Sequence, residues 1–330
     1  MNKLVISCVD GGPGGDAAAR VGSSLARRLC SPLMLATVAP AAPQVPGRFD
    51  LPPSRLRQAR STLLRQARSI FGEAADGLGP DPELRIEFGE PAERLTSLSQ
   101  REHAGLLVVG VPDRPAATRR LLGSVYLALA GTSPCPVVVV PPSVEELPRT
   151  AGPIVCGVDG SDGSLAAAGV AVELARRLEA RVELVHVTDR PPLDRDYATR
   201  LVASHDAAMR VLLRTANLPQ AALDLRVELG RPAQRLADVA AREEAQLIVN
   251  GSQGSGFDRS ALLGSVSSEL ALTATQPLVL VPLLASAGRL DHAHKRAEQA
   301  RRLGRLATQR RGSGRPPGIR PATGRGVSKR

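Results

Sequence analysis

The residues best equipped for chemistry in this chain are glycines and serines gathered in one stretch. Gly251-Ser252-Gln253-Gly254-Ser255-Gly256 follows directly on the apolar run Leu247-Ile248-Val249, and Gly264-Ser265-Val266-Ser267 opens the next helical pattern. A glycine-rich turn between a strand and a helix suits an anion. Glycines permit positive φ and let backbone N–H groups approach a ligand without side-chain obstruction. A helix N-terminus adds unpaired N–H donors and a favourable partial charge. The hydroxyls of Ser265 and Ser267 add donors, or ligands for a metal carried by phosphates. Asp159, at the end of the apolar run that opens this half, reads equally as a ligand contact and as a helix cap.

Other chemistries find less support. Cys8, Cys30, Cys135 and Cys156 show no CxxC and no metal-ligand spacing, and read as thiols of a reducing compartment. His186, between Val185 and Val187, reads as a hydrogen-bonded core histidine rather than a base, and His103, His205, His292 and His294 have no partner in motif spacing. The loops contain no Ser-His-Asp order, paired-carboxylate motif or metal cluster, so any phosphoanhydride hydrolysis is expected to be slow. Arg259, just before Gly264, is either a phosphate contact or a solvated loop arginine. No GxxxxGK precedes a Ser or Thr, and no GxGxxG follows the first strand of either half, which weighs against a Walker-type loop and against NAD.

The elements that must position these residues come from an internal repeat. Val5-Ile6-Ser7-Cys8-Val9-Asp10-Gly11 returns as Ile154-Val155-Cys156-Gly157-Val158-Asp159-Gly160. Val38 returns as Val187, Gly89-Glu90-Pro91-Ala92 as Gly230-Arg231-Pro232-Ala233, and Leu121-Leu122-Gly123-Ser124-Val125 as Leu262-Leu263-Gly264-Ser265-Val266. Pro136-Val137-Val138-Val139-Val140-Pro141 returns as Pro277-Leu278-Val279-Leu280-Val281-Pro282. The offset is 149 residues at first and 141 later, so the first copy carries eight extra residues between Val38 and Gly89.

In copy two the pattern predicts strands near 153–158, 181–187, 223–229, 246–250 and 278–281, with helices near 162–178, 194–217, 232–243 and 264–275. Leu165, Ala168, Val172, Ala175 and Leu178 recur at helical spacing, with Ser161 or Ser164 available as N-cap. Strands alternating with helices imply an open parallel sheet covered on both faces. The apolar runs Val137–Val140 and Leu278–Val281 would leave exposed edges, so the two last strands are expected to pair across the tandem. In copy one the loop is spoiled. Asp113 stands where the second glycine belongs, and a carboxylate about 4 Å from a phosphate costs roughly 4 kcal/mol per charge pair at an effective dielectric near 20. Pro112 and Pro115 remove N–H donors.

The spacing Gly251-x2-Gly254-x9-Gly264-Ser265, with the first-strand Asp and the late Gly-Ser-Val, resembles the loop pattern of the universal stress protein family, and both copies resemble it over essentially 1–285. The resemblance implies two Rossmann-like, adenine nucleotide alpha hydrolase-like α/β domains, each an open five-stranded parallel sheet flanked by helices. It implies a regulatory role in stress response, adenine-nucleotide binding (ATP, with or without Mg2+), and tandem or dimeric assembly, here an intramolecular pseudo-dimer. By the same resemblance, Asp159 and Val187 border adenine or ribose, and Gly251, Gly254, Gly264, Ser265, Val266 and Ser267 hold ribose and phosphates. Asn250 stands where an apolar residue is common in the family. One nucleotide per chain is expected, in copy two. The other readings are a nucleotide-independent interaction scaffold and a slow ATPase or adenylate-forming enzyme.

Domain organisation follows: repeat 1 over 1–142, a linker over 143–152, repeat 2 over 153–285 and a basic tail over 286–330. The chain has 330 residues and a formal net charge of +11. The tail holds 13 Lys and Arg against Asp291 and Glu298, so it carries all of that charge. It reads as largely disordered, with a short helix near 291–308, and either as a solvated extension or as a surface for nucleic acid, anionic lipid or an acidic partner. Two Tyr, four Phe and no Trp leave the cores to Val, Leu, Ile and Ala. The opening apolar run is too short for a signal peptide, and no stretch reaches the length of a membrane span, so a cytoplasmic protein is expected.

Overall fold

The computed structural model describes residues 3–39, 54, 57, 58, 61, 62, 83–112, 125–147, 152–188, 223–254 and 263–283. Repeat 1 runs β1 (Val5–Cys8), α1 (Pro13–Arg28), β2 (Leu33–Ala39), β3 (Glu83–Phe88), α2 (Pro91–Arg101), β4 (Leu106–Gly110), α3 (Val125–Thr132) and β5 (Val137–Val140). Repeat 2 runs β6 (Ile154–Gly157), α4 (Asp162–Leu178), β7 (Val182–Thr188), β8 (Leu223–Leu229), α5 (Pro232–Arg242), β9 (Leu247–Gly251), α6 (Ser265–Thr273) and β10 (Leu278–Val281). The helix expected over 194–217 and the whole tail lie outside the described residues. Among those described, no helix is long and apolar enough to cross a membrane.

The strands form one ten-stranded sheet in the order β3-β2-β1-β4-β5-β10-β9-β6-β7-β8. Within each half all neighbours are parallel. At the centre β5 and β10 pair antiparallel, with Val139 opposite Leu278, Val138 opposite Val279 and Val137 opposite Leu280. The edge argument therefore holds. Each half is a five-stranded parallel sheet that lends one edge to the other, and both repeats fall in one compact unit, Met1–Gly288. Every residue of β5 and β10 is buried, as expected for apolar strands covered on both faces.

The helices follow from local chemistry. Ser161 caps α4, its side chain accepting from the Ser164 N–H at 3.2 Å, and Asp162 places an acid in the first turn. Pro91 and Pro232 occupy the first positions of α2 and α5, where a missing N–H is harmless. Gly89 and Gly230, just before them, take φ +132° and +131°, a turn closed to other residues.

Helices α1 and α4 end against each other across the seam. Arg28 donates to the Leu178 carbonyl at 3.2 Å and to Gln246 Oε1 at 2.7 Å, while Arg177 donates to the Leu29 carbonyl and to Ser31 Oγ at 3.3 Å. Arg28 and Arg177 are equivalent in the repeat, as are Leu29 and Leu178. Each helix thus has a C-terminal carbonyl satisfied by the arginine of the other. The described start of the segment expected to be a linker packs against repeat 1. Leu147 is fully buried, Arg20 donates to the Glu145 carbonyl at 2.9 Å, and Arg27 pairs with Glu146 at 3.3 Å.

Candidate functional site

Chain order reverses at β1 in repeat 1 and at β6 in repeat 2, so the loops leaving β6 and β9 face each other at a topological switch point. In such sheets ligands bind at this crevice. Repeat 2 has a cavity there of about 730 Å³, within the usual range for small-molecule sites. Asp159, Val187, Gly251, Gly254, Gly264, Ser265, Val266 and Ser267, the eight residues expected to bind, all line it.

Two loops build its polar end. Asp159 follows β6, and its Oδ1 accepts from the Ser161 N–H at 2.9 Å and from Ser161 Oγ at 2.5 Å. The aspartate therefore organises the turn into α4, while Ser161 is the cap itself. A Cβ added at Gly254 would lie 2.9 Å from Asp159 Oδ2. Gly254 is small because the aspartate occupies its flank. At Gly251 a Cβ would meet the Gly163 carbonyl at 2.6 Å, where α4 begins. Neither has the positive φ that the glycine pattern suggests; among the described glycines that conformation belongs to Gly11, Gly89, Gly160 and Gly230. Close approach of backbone, not left-handed geometry, is what these two positions require.

Gly264 is the N-cap of α6 and has no side-chain cap hydrogen bond; its own N–H donates to the Ser252 carbonyl at 2.8 Å. The amides of Ser265, Val266 and Ser267 have no protein acceptor among the described residues. They are the orphan donors of a helix start, on residues that line the cavity. The Ser265 hydroxyl is exposed there. Ser267 differs from the expectation of a ligand-binding hydroxyl. It is 2% exposed, its Oγ donates to the Gly251 carbonyl at 2.7 Å, and it accepts from Asn250 Nδ2 at 2.7 Å. It ties α6 to the end of β9 and positions the loop.

The lining also includes apolar side chains: Val158, Val185, Val187, Pro232, Leu236 and Leu263. His186 also lines the cavity, and its Nδ1 lies 2.9 Å from the Val158 carbonyl. A carbonyl only accepts, so Nδ1 carries a proton and the ring is anchored to β6. This matches a structurally bonded histidine. Arg259, Ser255 and Gly256 lie outside the described residues.

Repeat 1 presents different residues at the same positions. Cys8, Val109 and Tyr126 stand where repeat 2 has Gly157, Asn250 and Ser267. Val109 and Tyr126 are 4% and 3% exposed and belong to the apolar core. Burial pushes the Cys8 thiol well up, with Cys135 and Asp10 adding to it, so it is held as a thiol. Pro112 is exposed, while Asp113, Pro115, Gly123 and Ser124 lie outside the described residues. The sequence signals the Tyr126 replacement one residue past Val125, just beyond the full match of Leu-Leu-Gly-Ser-Val.

Comparison with known proteins agrees with this architecture. The model of the "Universal stress protein family" matches the chain twice, over residues 1–141 and 151–282. Universal stress protein Rv2623 of Mycobacterium tuberculosis (strain H37Rv) is 31% identical over 240 residues, covering 70% of this chain and 80% of that protein. Universal stress protein MT2052 of M. tuberculosis (strain CDC 1551) is 28% identical over 308 residues, covering 84% of this chain and 95% of its own length. A universal stress protein from Archaeoglobus fulgidus DSM 4304 shares the fold with a TM-score of 0.60 at 16% identity, covering 85% of this chain and 96% of that one.

Proposed function

Because the chain belongs to the universal stress protein family, we propose that repeat 2 is its adenine-nucleotide site and that nucleotide occupancy regulates its contacts in stress response. The ligand is ATP, with or without Mg2+, one per chain. The observation that carries this reading is the cavity at the switch point of repeat 2, lined by both apolar and polar residues. The apolar lining residues, Val158 and Leu236 among them, suit a purine face, and the amides at the start of α6, without a protein acceptor among the described residues, suit phosphates. Gly251 and Gly254 keep the turn open between them, Ser265 offers a hydroxyl to the phosphates or their metal, and Val266 adds its amide. Asp159, an acceptor, faces the sugar or base rather than the phosphates. Repeat 1, with Tyr126 and Val109 in its core, serves as structural partner. The same reading takes 1–142 and 153–285 as the two units, with 143–152 between them.

Calorimetric titration of the pure protein with ATP tests this. One site per chain is expected, and Gly254→Asp, which gives repeat 2 the residue of repeat 1, should weaken binding at least about 100-fold through charge repulsion. Two equivalent sites, or binding that survives Gly254→Asp, would overturn the proposal.

A further inference from the structure

Asn250 is an amide placed by repeat 2 on a strand position that repeat 1 fills with a core valine, and the hydrogen bonds around it determine which way it points. The Gly251 carbonyl can only accept, so the bond between it and Ser267 Oγ, 2.7 Å long, uses the one proton of that hydroxyl. Ser267 Oγ must therefore accept in its other bond, at 2.7 Å to the Asn250 side chain. The group on that side is the NH2 of Asn250, which also reaches the Gly251 carbonyl at 3.3 Å. These bonds fix which way the amide faces. Oδ1 is then forced to the other side, over Gly157.

Space for it exists only because residue 157 is glycine. A Cβ there would lie 2.5 Å from Asn250 Oδ1 and 3.0 Å from Leu236 Cδ1. Both residues line the cavity with Gly157. The three positions act together: Gly157, Asn250 and Ser267 in repeat 2 become Cys8, Val109 and Tyr126 in repeat 1. Among the described residues Oδ1 has no protein donor. It is a fixed acceptor that shares the flank of Gly157 with Leu236, on a side chain whose other end is bonded to Ser267 at the start of α6.

We propose that Asn250 is a specificity-determining residue that accepts a hydrogen bond from a ribose hydroxyl of the bound nucleotide, so that repeat 2 prefers ribonucleotides to their deoxy counterparts. The inference rests on the nucleotide reading above and adds the sugar. The geometry points to the sugar because the ribose joins base to phosphates, as the Asn250 side chain reaches from apolar Leu236 to Ser267 at the start of α6. An acceptor that Ser267 holds in place cannot turn to donate, so a ligand lacking the hydroxyl leaves it unsatisfied.

The test is a titration of the full chain with ATP, 2′-deoxy-ATP, 3′-deoxy-ATP and inosine triphosphate, repeated on Asn250→Val and Ser267→Ala. In the wild type one of the two deoxy analogues should bind about 3- to 10-fold more weakly than ATP, the range expected for one hydrogen bond. In Asn250→Val, which carries the residue of repeat 1, that ratio should fall to about one whatever happens to overall affinity. Ser267→Ala, which frees the amide to rotate, should reduce the ratio whatever happens to overall affinity. Equal binding of ATP and both deoxy analogues by the wild type would overturn the assignment to Asn250 and leave the nucleotide site standing. So would a deoxy penalty that persists in Asn250→Val, or discrimination confined to inosine triphosphate. Failure of every nucleotide to bind would overturn the site itself and this inference with it.

Discussion

At position 183 repeat 2 carries a glutamate where repeat 1 carries Met34, each buried on the second strand of its half. Among the described residues neither Glu183 carboxylate oxygen has a hydrogen bond that meets the angular requirement, and its compensation is the ion pair with the Arg226 guanidinium, which also pairs with Glu243 at 3.0 Å and with Glu228 at 3.8 Å. Burial holds the Glu183 carboxyl above the ordinary carboxylate range, Arg226 opposing. The folded state therefore binds its proton more tightly than the unfolded state does. Stability should fall as pH rises from the ordinary glutamate value through the raised one. Glu183→Met should flatten that segment of a denaturation-against-pH curve and leave stability at pH 7 unchanged or higher, since Arg226 keeps its two other carboxylates. Arg226→Ala should cost about 3 kcal/mol or more, because it strands a buried charge. Adding Glu183→Met should restore most of that loss in urea denaturation, and a double variant as weak as Arg226→Ala would refute the account.

At the scale of elements, the contact that joins the repeats is a pair of helix ends. Single Arg28→Ala and Arg177→Ala variants should each lose about 1.5–3 kcal/mol, the worth of a charged hydrogen bond to a carbonyl, with similar losses from both because the contacts reciprocate. A loss confined to one variant in thermal unfolding would show that the reciprocity is geometric only. Nothing in the sequence signals this pairing, since its partners are 150 and 148 residues apart and arginines at helix ends are common for local reasons. What the sequence does make legible is local and periodic. The strands and three of the four helices expected of repeat 2 fall where the pattern puts them, and Ser161 is the cap, because two-fold and 3.6-fold periodicities report burial directly. The eight expected residues share one cavity because the glycine loops sit at strand ends. The reasons behind them were less legible. Gly251 and Gly254 are required by the backbone of α4 and by Asp159, contacts between segments far apart in the chain, and the Ser267 proton is spent within the protein.

At the scale of the whole molecule, the antiparallel seam makes one sheet of two repeats, and the two should unfold as one. Circular dichroism is expected to show a single thermal transition that moves upward as a whole with saturating ATP, by about 2.7 kcal/mol at one hundred times Kd. Val138→Pro, which removes a backbone N–H opposite Val279, should lower or split that transition. Two wild-type transitions, only one of them moved by ATP, would show that the seam does not couple the halves. The same seam has a genetic consequence. In a symmetric dimer of identical chains every substitution appears twice, once on each side of the axis. Here each half is written separately, so a tyrosine could enter one crevice at position 126 without entering the other, while the arginines that face each other across the junction stayed matched. The fused chain can hold a pair of unlike halves in a fixed ratio of one to one, which self-assembly of a single short chain cannot do.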